Sequence, residues 1–326
     1  MKALVCTEIT NDASALEVMD VETPDPAPGE VRVRVEAASV NFPDILMCKG
    51  EYQFKPEPPF TPGMDLAGVV DAVGEGVAKF QPGARVAGGA KTGGFAQYSV
   101  LSEAALTPIP AAFSFEQAAA YPAAYLTAYV SLVRRANLQP GETLLVHGAT
   151  GGVGMAAVDL GKQLGATVIA TSASDEKLQK VVDYGADYAL NVTQGFKDRV
   201  KALTGGKGAD VIYDPVGGDV FDESTRCIAF DGRLLVIGFT SGRIAQINTN
   251  IPLIKGFSVV GVRAGEYGRR FPEKGRENME AIWKLAAEGK TRPYICAEFP
   301  LAEATKAFDM LTSRQAVGKV LIRPNM

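Results

Sequence analysis

Residues 142–177, ETLLVHGATGGVGMAAVDLGKQLGATVIATSASDEK, run from an apolar strand through a glycine-rich turn into a helix and on to a second strand. Leu144, Leu145 and Val146 supply the first strand, and Gly148, Gly151, Gly152 and Gly154 the turn. Val153 opens a helix that carries Ala156, Ala157, Val158 and Leu160. Glycine lets the backbone turn tightly and approach a ligand with no Cβ in the way. The helix N-terminus then offers N–H groups and the positive end of its dipole to a phosphate. A glycine cluster alone is a weak signal. In a strand–turn–helix–strand frame it indicates a dinucleotide site, the alternative being a turn that serves only close helix–sheet packing.

The end of the second strand discriminates between dinucleotides. An acid there holds the ribose 2′-hydroxyl of NAD. Here the strand ends Ala170-Thr171-Ser172-Ala173-Ser174, with Lys177 following. Small neutral groups and a lysine suit a 2′-phosphate, so NADPH is expected over NADH. Asp175 and Glu176 fit the first turn of a helix capped by Ser174, where acids complement the dipole.

Outward from this segment, short apolar strands alternate with helices. Strands are expected at 143–147, 167–171, 188–190, 210–213, 232–237 and 258–262, and helices at 153–164, 175–184, 197–203, 220–229 and 278–289. That spacing signals a parallel sheet covered on both faces. The first ~120 residues have another texture. EVRVRV (30–35) alternates charged and apolar side chains, and PDPAPG, KPEPPFTPG and QPG punctuate short strands, as in a small barrel or sandwich. Residues 115–136 read as a helix broken at Pro122. The charged run 266–276, with Arg269 and Arg270, reads as a solvated loop and helix start, the alternative being a landing place for an anionic ligand.

Composition removes several chemistries. There is one histidine, His147, and only four cysteines, Cys6, Cys48, Cys227 and Cys296, none in a C-x-x-C pair. A structural zinc needs four clustered Cys or His ligands, and a catalytic zinc three protein ligands. No metal is therefore expected, nor a disulfide framework, and the setting is expected to be reducing and cytoplasmic. A net charge of −4 offers no field for nucleic acid or an anionic membrane. The N-terminus meets an acid at Glu8, too early for a leader's apolar core, and no run is long enough to span a bilayer.

The chain resembles the medium-chain dehydrogenase/reductases, in the zinc-independent quinone oxidoreductase branch that includes zeta-crystallin. Besides HGATGGVG, the resemblance rests on SVNFPDILMCKGEY (39–52), PFTPGMDLAGVV (59–70), FSFEQAAAYPAAYLTAY (113–129), YDPVGG (213–218) and VGKVLI (317–322). It implies an α/β architecture: a GroES-like β-barrel catalytic domain from 1–122 and 263–326, and a Rossmann doubly wound parallel-sheet domain at 123–262. It further implies a homodimer or tetramer. Zinc-dependent relatives place a Cys where Asn41 stands and a His-Glu pair where Met64-Asp65 stands, so the resemblance implies zinc-free chemistry.

By the same resemblance, Asn41 and Tyr52 flank the nicotinamide and substrate pocket, Thr127 lies beside the nicotinamide, and Gly238, Phe239 and Thr240 belong to a covering loop. Leu46 replaces a pocket tyrosine of the family, and Val192 a tyrosine that helps hold the 2′-phosphate. The expected activity is NADPH-dependent reduction of quinones or other activated alkenes. Tyr52 and Asn41 serve as hydrogen-bond groups for the developing oxyanion of a small-molecule substrate. An enal or enoyl-thioester reductase, or a catalytically silent nucleotide-binding protein of crystallin-like or RNA-associated kind, are the alternatives.

Overall fold

Val31, Val33 and Val35 are fully buried while Arg32 and Arg34 stay partly exposed, so the alternation in EVRVRV forms a half-buried strand. It continues to Val40. The computed structural model describes residues 1–326 and resolves into two units, Met1–Pro122 with Pro293–Met326, and Ala123–Arg292.

In the first unit the chain forms β1 (Lys2–Cys6), β2 (Leu16–Asp20), β3 (Glu30–Val40), α1 (Phe42–Cys48), β4 (Asp65–Val73), β5 (Arg85–Gly89), β6 (Tyr98–Ser102), β7 (Leu106–Pro108) and α2 (Phe115–Ala120). β1 and β2 pair as a separate antiparallel ribbon. β3 is the hub of the larger sheet. It pairs antiparallel with β4 and β6, and β4 carries β5 and then β7. Val31, Val33, Val35, Leu66, Val70, Val86 and Phe95 fill one core.

The second unit contains α3 (Pro122–Tyr129, entering from the boundary), β8 (Thr143–Val146), α4 (Gly152–Gln163), β9 (Thr167–Ser172), α5 (Asp175–Asp183), β10 (Tyr188–Asn191), α6 (Lys197–Leu203) and β11 (Ala209–Asp214). It continues with α7 (Gly218–Ser224), β12 (Ile228–Val236), α8 (Asn250–Lys255), β13 (Ser258–Gly261), α9 (Ala264–Arg270) and α10 (Pro272–Ala287). All six strands are parallel, in the order β10-β9-β8-β11-β12-β13. This is the doubly wound order, with its switch point between β8 and β11.

The chain then returns to the first unit as β14 (Ile295–Pro300), α11 (Ala304–Thr312) and β15 (Lys319–Arg323), and β15 pairs with β3 on the side away from β4. The fold class is thus the expected one. The point of return is not. Residues 263–292 belong to the second unit, whereas the sequence grouped them with the barrel. Strand alternation does end near 262, but α10 still buries Ile282, Trp283 and Ala286, and Arg134 donates to Asn278 Oδ1 at 2.7 Å and Glu277 Oε2 at 2.6 Å.

Smaller departures have local causes. The helix over 115–136 breaks at Pro122 as expected, since proline has no N–H to donate, but its last part is a wide π-type turn at Val130–Arg135. The helix expected over 220–229 stops at Ser224, because Ile228 and Ala229 are already strand and buried against β11. Within 266–276, α9 forms and Glu266 pairs with both Arg269 and Arg270 at 3.0 Å. No helix is long and apolar enough to cross a membrane.

His147, at the end of β8, is fully buried. Nδ1 lies 2.8 Å from Thr171 Oγ1 of β9, Nε2 lies 2.8 Å from Ser224 Oγ of α7, and the ring packs on Phe196. Each ring nitrogen has a hydroxyl partner, so a neutral imidazole can donate through one nitrogen and accept through the other. The only histidine thus fastens three elements and does no acid–base work.

Burial pushes its pKa from 6.5 down to about 3. The unfolded chain takes up a proton below pH 6.5 that the folded chain refuses, so this stabilisation is complete above 6.5 and is lost as pH falls towards 3. Urea unfolding of wild type and His147→Gln between pH 4 and 6 should show wild type losing about 1.4 kcal/mol more per pH unit, one extra proton. Parallel slopes would show that His147 is not held neutral.

Candidate functional site

At the carboxyl end of β8 the backbone folds back on itself. A Cβ at Gly154 would sit 2.3 Å from Gly148 O and 2.8 Å from Ala149 Cα, an approach that no other residue permits. Gly148 has φ +55, the left-handed region, and a Cβ there would press on Val216 at 3.3 Å. Ala149 N donates to Thr171 O, tying the turn to β9. α4 starts with Gly151 as its N-cap, which contributes no side-chain acceptor. The first-turn N–H groups at Gly152, Val153 and Gly154 therefore face outward without a capping side chain, as a pyrophosphate site requires.

The loops after β11 and β12 meet this turn. Asp214 Oδ1 accepts from Val216 N at 2.8 Å and Gly217 N at 2.9 Å. Thr240 N donates to Pro215 O and Ser241 N to Val216 O, which brings Gly238, Phe239 and Thr240 beside residues 215–217. Phe239 is half exposed, and its ring edge lies 3.0 Å from the space a Cβ of Gly217 would take. Asp214 is the residue of this loop pair that sequence reasoning missed. Its signal is the D-P-V-G-G turn itself, where an Asp side chain folds onto N–H groups two and three residues on. Thr127, on α3, donates to Ala123 O at 2.7 Å and is not hydrogen-bonded to the turn.

β9 ends in Ser172, whose hydroxyl lies 3.4 Å from Thr150 Oγ1, so the second strand closes on the glycine turn. Ser174 caps α5 by accepting from Lys177 N. Asp175 accepts from Asn191 Nδ2 at 3.0 Å, which accounts for that acid structurally. Val192 packs against the apolar core of this unit and offers no hydroxyl.

In the first unit, α1 is started by two residues that hold each other. Asp44 Oδ2 accepts from Asn41 N at 2.8 Å, one half of a capping box, and its Oδ1 accepts from Gly63 N at 3.1 Å. Asp44 is fully buried, and burial, with Asp65 nearby, pushes its pKa up to about 7 against those N–H groups. Both hydrogens of the Asn41 amide are held by the protein, Nδ2 donating to Asp65 Oδ2 at 3.0 Å and to Ser39 O at 3.1 Å, while Oδ1 accepts from Lys319 Nζ at 2.6 Å. The sequence assigned Asn41 a share in binding a substrate oxyanion. Both amide hydrogens are held in this way and are not free to be donated to a ligand. Tyr52 is half-buried, four residues beyond α1, and is anchored by its N–H on Leu46 O. Cys48 is buried with its pKa raised by burial, an inert thiol. No group of three or more His, Cys, Asp or Glu side chains is placed to hold a metal ion.

Known proteins are similar to this chain along its length. Residues 27–111 match the alcohol dehydrogenase GroES-like domain and residues 152–286 the zinc-binding dehydrogenase domain. A quinone oxidoreductase-like protein 2 homolog from Nematostella vectensis is 43% identical, over 98% of this chain and 88% of that protein. A probable oxidoreductase from Mycobacterium abscessus superposes with a TM-score of 0.91 at 38% identity, covering 99% of each chain. The Escherichia coli quinone oxidoreductase, solved in complex with NADPH, also gives 0.91, at 31% identity, covering 99% of this chain and 100% of that one. A glycine cradle at the switch point, a strand hub leading into Asn41 and similarity along the whole length lead to one conclusion: the chain belongs to the quinone oxidoreductase family of medium-chain dehydrogenase/reductases and is an oxidoreductase.

Proposed function

We propose that this chain is an NADPH-dependent reductase of quinones or other activated alkenes that works by hydride transfer without zinc. The observation that carries the reading is the cradle formed by Gly148 and Gly154, whose backbone approach leaves room for a pyrophosphate on uncapped N–H groups. Ser172, Ser174 and Lys177 stand where the adenosine ribose would lie, and the absence of an acid at the end of β9 favours a 2′-phosphate. When bound, NADPH supplies the hydride. The protein's part is to orient and to donate. Tyr52 gives its phenolic proton as a hydrogen bond to the substrate oxygen that gains charge, and Thr127 borders the nicotinamide pocket. Asn41 and Asp65, at the positions zinc-dependent relatives use for ligands, are instead hydrogen-bonded to each other, which supports zinc-free chemistry.

The enoyl-thioester alternative depended on free cations in 266–276. Arg269 and Arg270 are paired with Glu266, which leaves Lys274 and Arg276 as the cations of that run outside an ion pair. A silent nucleotide-binding protein is separated from an enzyme by turnover. Purified protein should oxidise NADPH with 1,4-naphthoquinone, 9,10-phenanthrenequinone or a panel of enones, and Tyr52→Phe should lower kcat about a hundredfold with NADPH affinity within twofold. NADPH binding without turnover on any acceptor would sink the enzyme reading. An unchanged rate in Tyr52→Phe would remove the phenol from the mechanism.

Lys177→Ala should raise the KM for NADPH about ten- to a hundredfold, the worth of one charge-assisted hydrogen bond, and leave that for NADH nearly unchanged. Equal effects on both would refute a 2′-phosphate contact.

We further propose that the chain is a homodimer joined along β13. This strand is the sheet's edge, and Phe230, Leu253, Ile254 and Val259 are exposed on it and its neighbours, Phe230 and Leu253 at 81%. An apolar, unpaired strand edge is a pairing surface, and a second copy supplies the matching one. Sedimentation should show a dimer that Leu253→Arg dissociates; a monomeric wild type would overturn this.

A further inference from the structure

Lysine is rarely buried, yet Lys319 is only 5% exposed. Strand register puts it there. Val320 of β15 lies opposite Val40 of β3, so Lys319 arrives level with Asn41, and on the other side of β3 Ser39 lies opposite Asp65 of β4. Three strand ends deliver a cation, an amide and a carboxylate to one point. Lys319 Nζ donates to Asn41 Oδ1 at 2.6 Å, and Asn41 Nδ2 donates to Asp65 Oδ2 at 3.0 Å. The amide has only one workable orientation, since reversal would set its NH2 against an ammonium and its oxygen against a carboxylate.

We propose that Lys319 is a positioning residue: its buried ammonium, balanced by Asp65, locks the Asn41 amide so that a single lone pair on Oδ1 is all that Asn41 presents to a bound ligand. This rests on the reading of Asn41 as part of the cofactor and substrate pocket. Asn41 is then an acceptor, suited to an N–H or O–H of the ligand, and its polarity is set from behind by a charge that never touches the ligand. Burial lowers the Lys319 pKa from its usual value, and Asp65 and Asp44, both within electrostatic reach, oppose that lowering and favour the ammonium. An apolar side chain would leave those carboxylates without compensation in a buried place. A neutral donor would hold the oxygen but not balance the charge.

Side-chain amide exchange of Asn41 by NMR, assigned from the signals lost in Asn41→Asp, tests the lock directly. In wild type the Asn41 NH2 should exchange at least tenfold more slowly than that of exposed Asn11. Lys319→Met should speed it at least tenfold, and Lys319→Arg should keep it slow. In turnover of NADPH with 1,4-naphthoquinone, Lys319→Met should lower kcat at least tenfold, with the quinone KM within threefold and recovery in Lys319→Arg. Fast exchange in wild type overturns the proposal, and this measurement needs no foldable variant at position 319. Exchange that does not respond to Lys319→Met overturns it whatever the turnover does. Slow, Lys319-dependent exchange in a protein that oxidises no NADPH would leave the lock standing and remove the proposed activity.

Discussion

The missing Cβ at residue 154 is the constraint on which the second unit is built. With hydrogen there, α4 presses its first turn onto Gly148 O, and any larger group would push helix and strand apart. Gly161 repeats the condition two turns on, where a Cβ would stand 2.6 Å from the Leu144 side chain. The close contact of α4 with β8 lets Leu144, Leu145 and Val146 be wholly buried. It also points the helix N-terminus at the switch point, where the loops after β11 and β12 arrive. Packing and binding therefore share one cause, and a substitution at Gly154 would damage both at once.

The first unit depends on a different kind of closure. β3 would be left with one bare side at its end if the chain's last strand did not return to it, and β15 supplies that partner. The return brings Lys319 under Asn41 and Arg323 to Glu36 O and to Glu298. Exposed ion pairs such as those of Glu266 are screened by water and must hold long side chains in one geometry, so they add little to stability. The buried charges are another matter. Removing one partner leaves the others stranded in a medium that solvates them poorly.

Local patterns made most of this legible before any coordinates. Alternation in 30–35 is a strand because side-chain direction has period two, and the glycine turn is recognisable because its chemistry is contiguous in sequence. Ser172, Ser174 and Lys177 follow it at short range, and Ser172 closes on the turn at Thr150. The Asn41–Lys319 bond was not legible, since it joins residues far apart in the chain through a register that only the folded sheet sets. For the same reason the Asn41 amide was read as available to a substrate. Asp44 was within reach of inspection, as the acid three residues after a helix-capping asparagine. The extent of the second unit was misread because α9 and α10 belong to it by packing, after the strand pattern that announces it has ended.

His147 carries one more consequence, for proton supply. A protein with several exposed imidazoles buffers its own surroundings near neutrality and can lend a proton to a reaction. Here the only imidazole is sealed in the core and neutral down to about pH 3, so it is silent as a buffer across the physiological range. Reduction of a quinone to a hydroquinone takes up one proton as well as a hydride. With no imidazole reservoir, the proton for the proposed reduction has to come from another group or from bulk water, so access of solvent to the substrate's oxygens bears on how reduction ends.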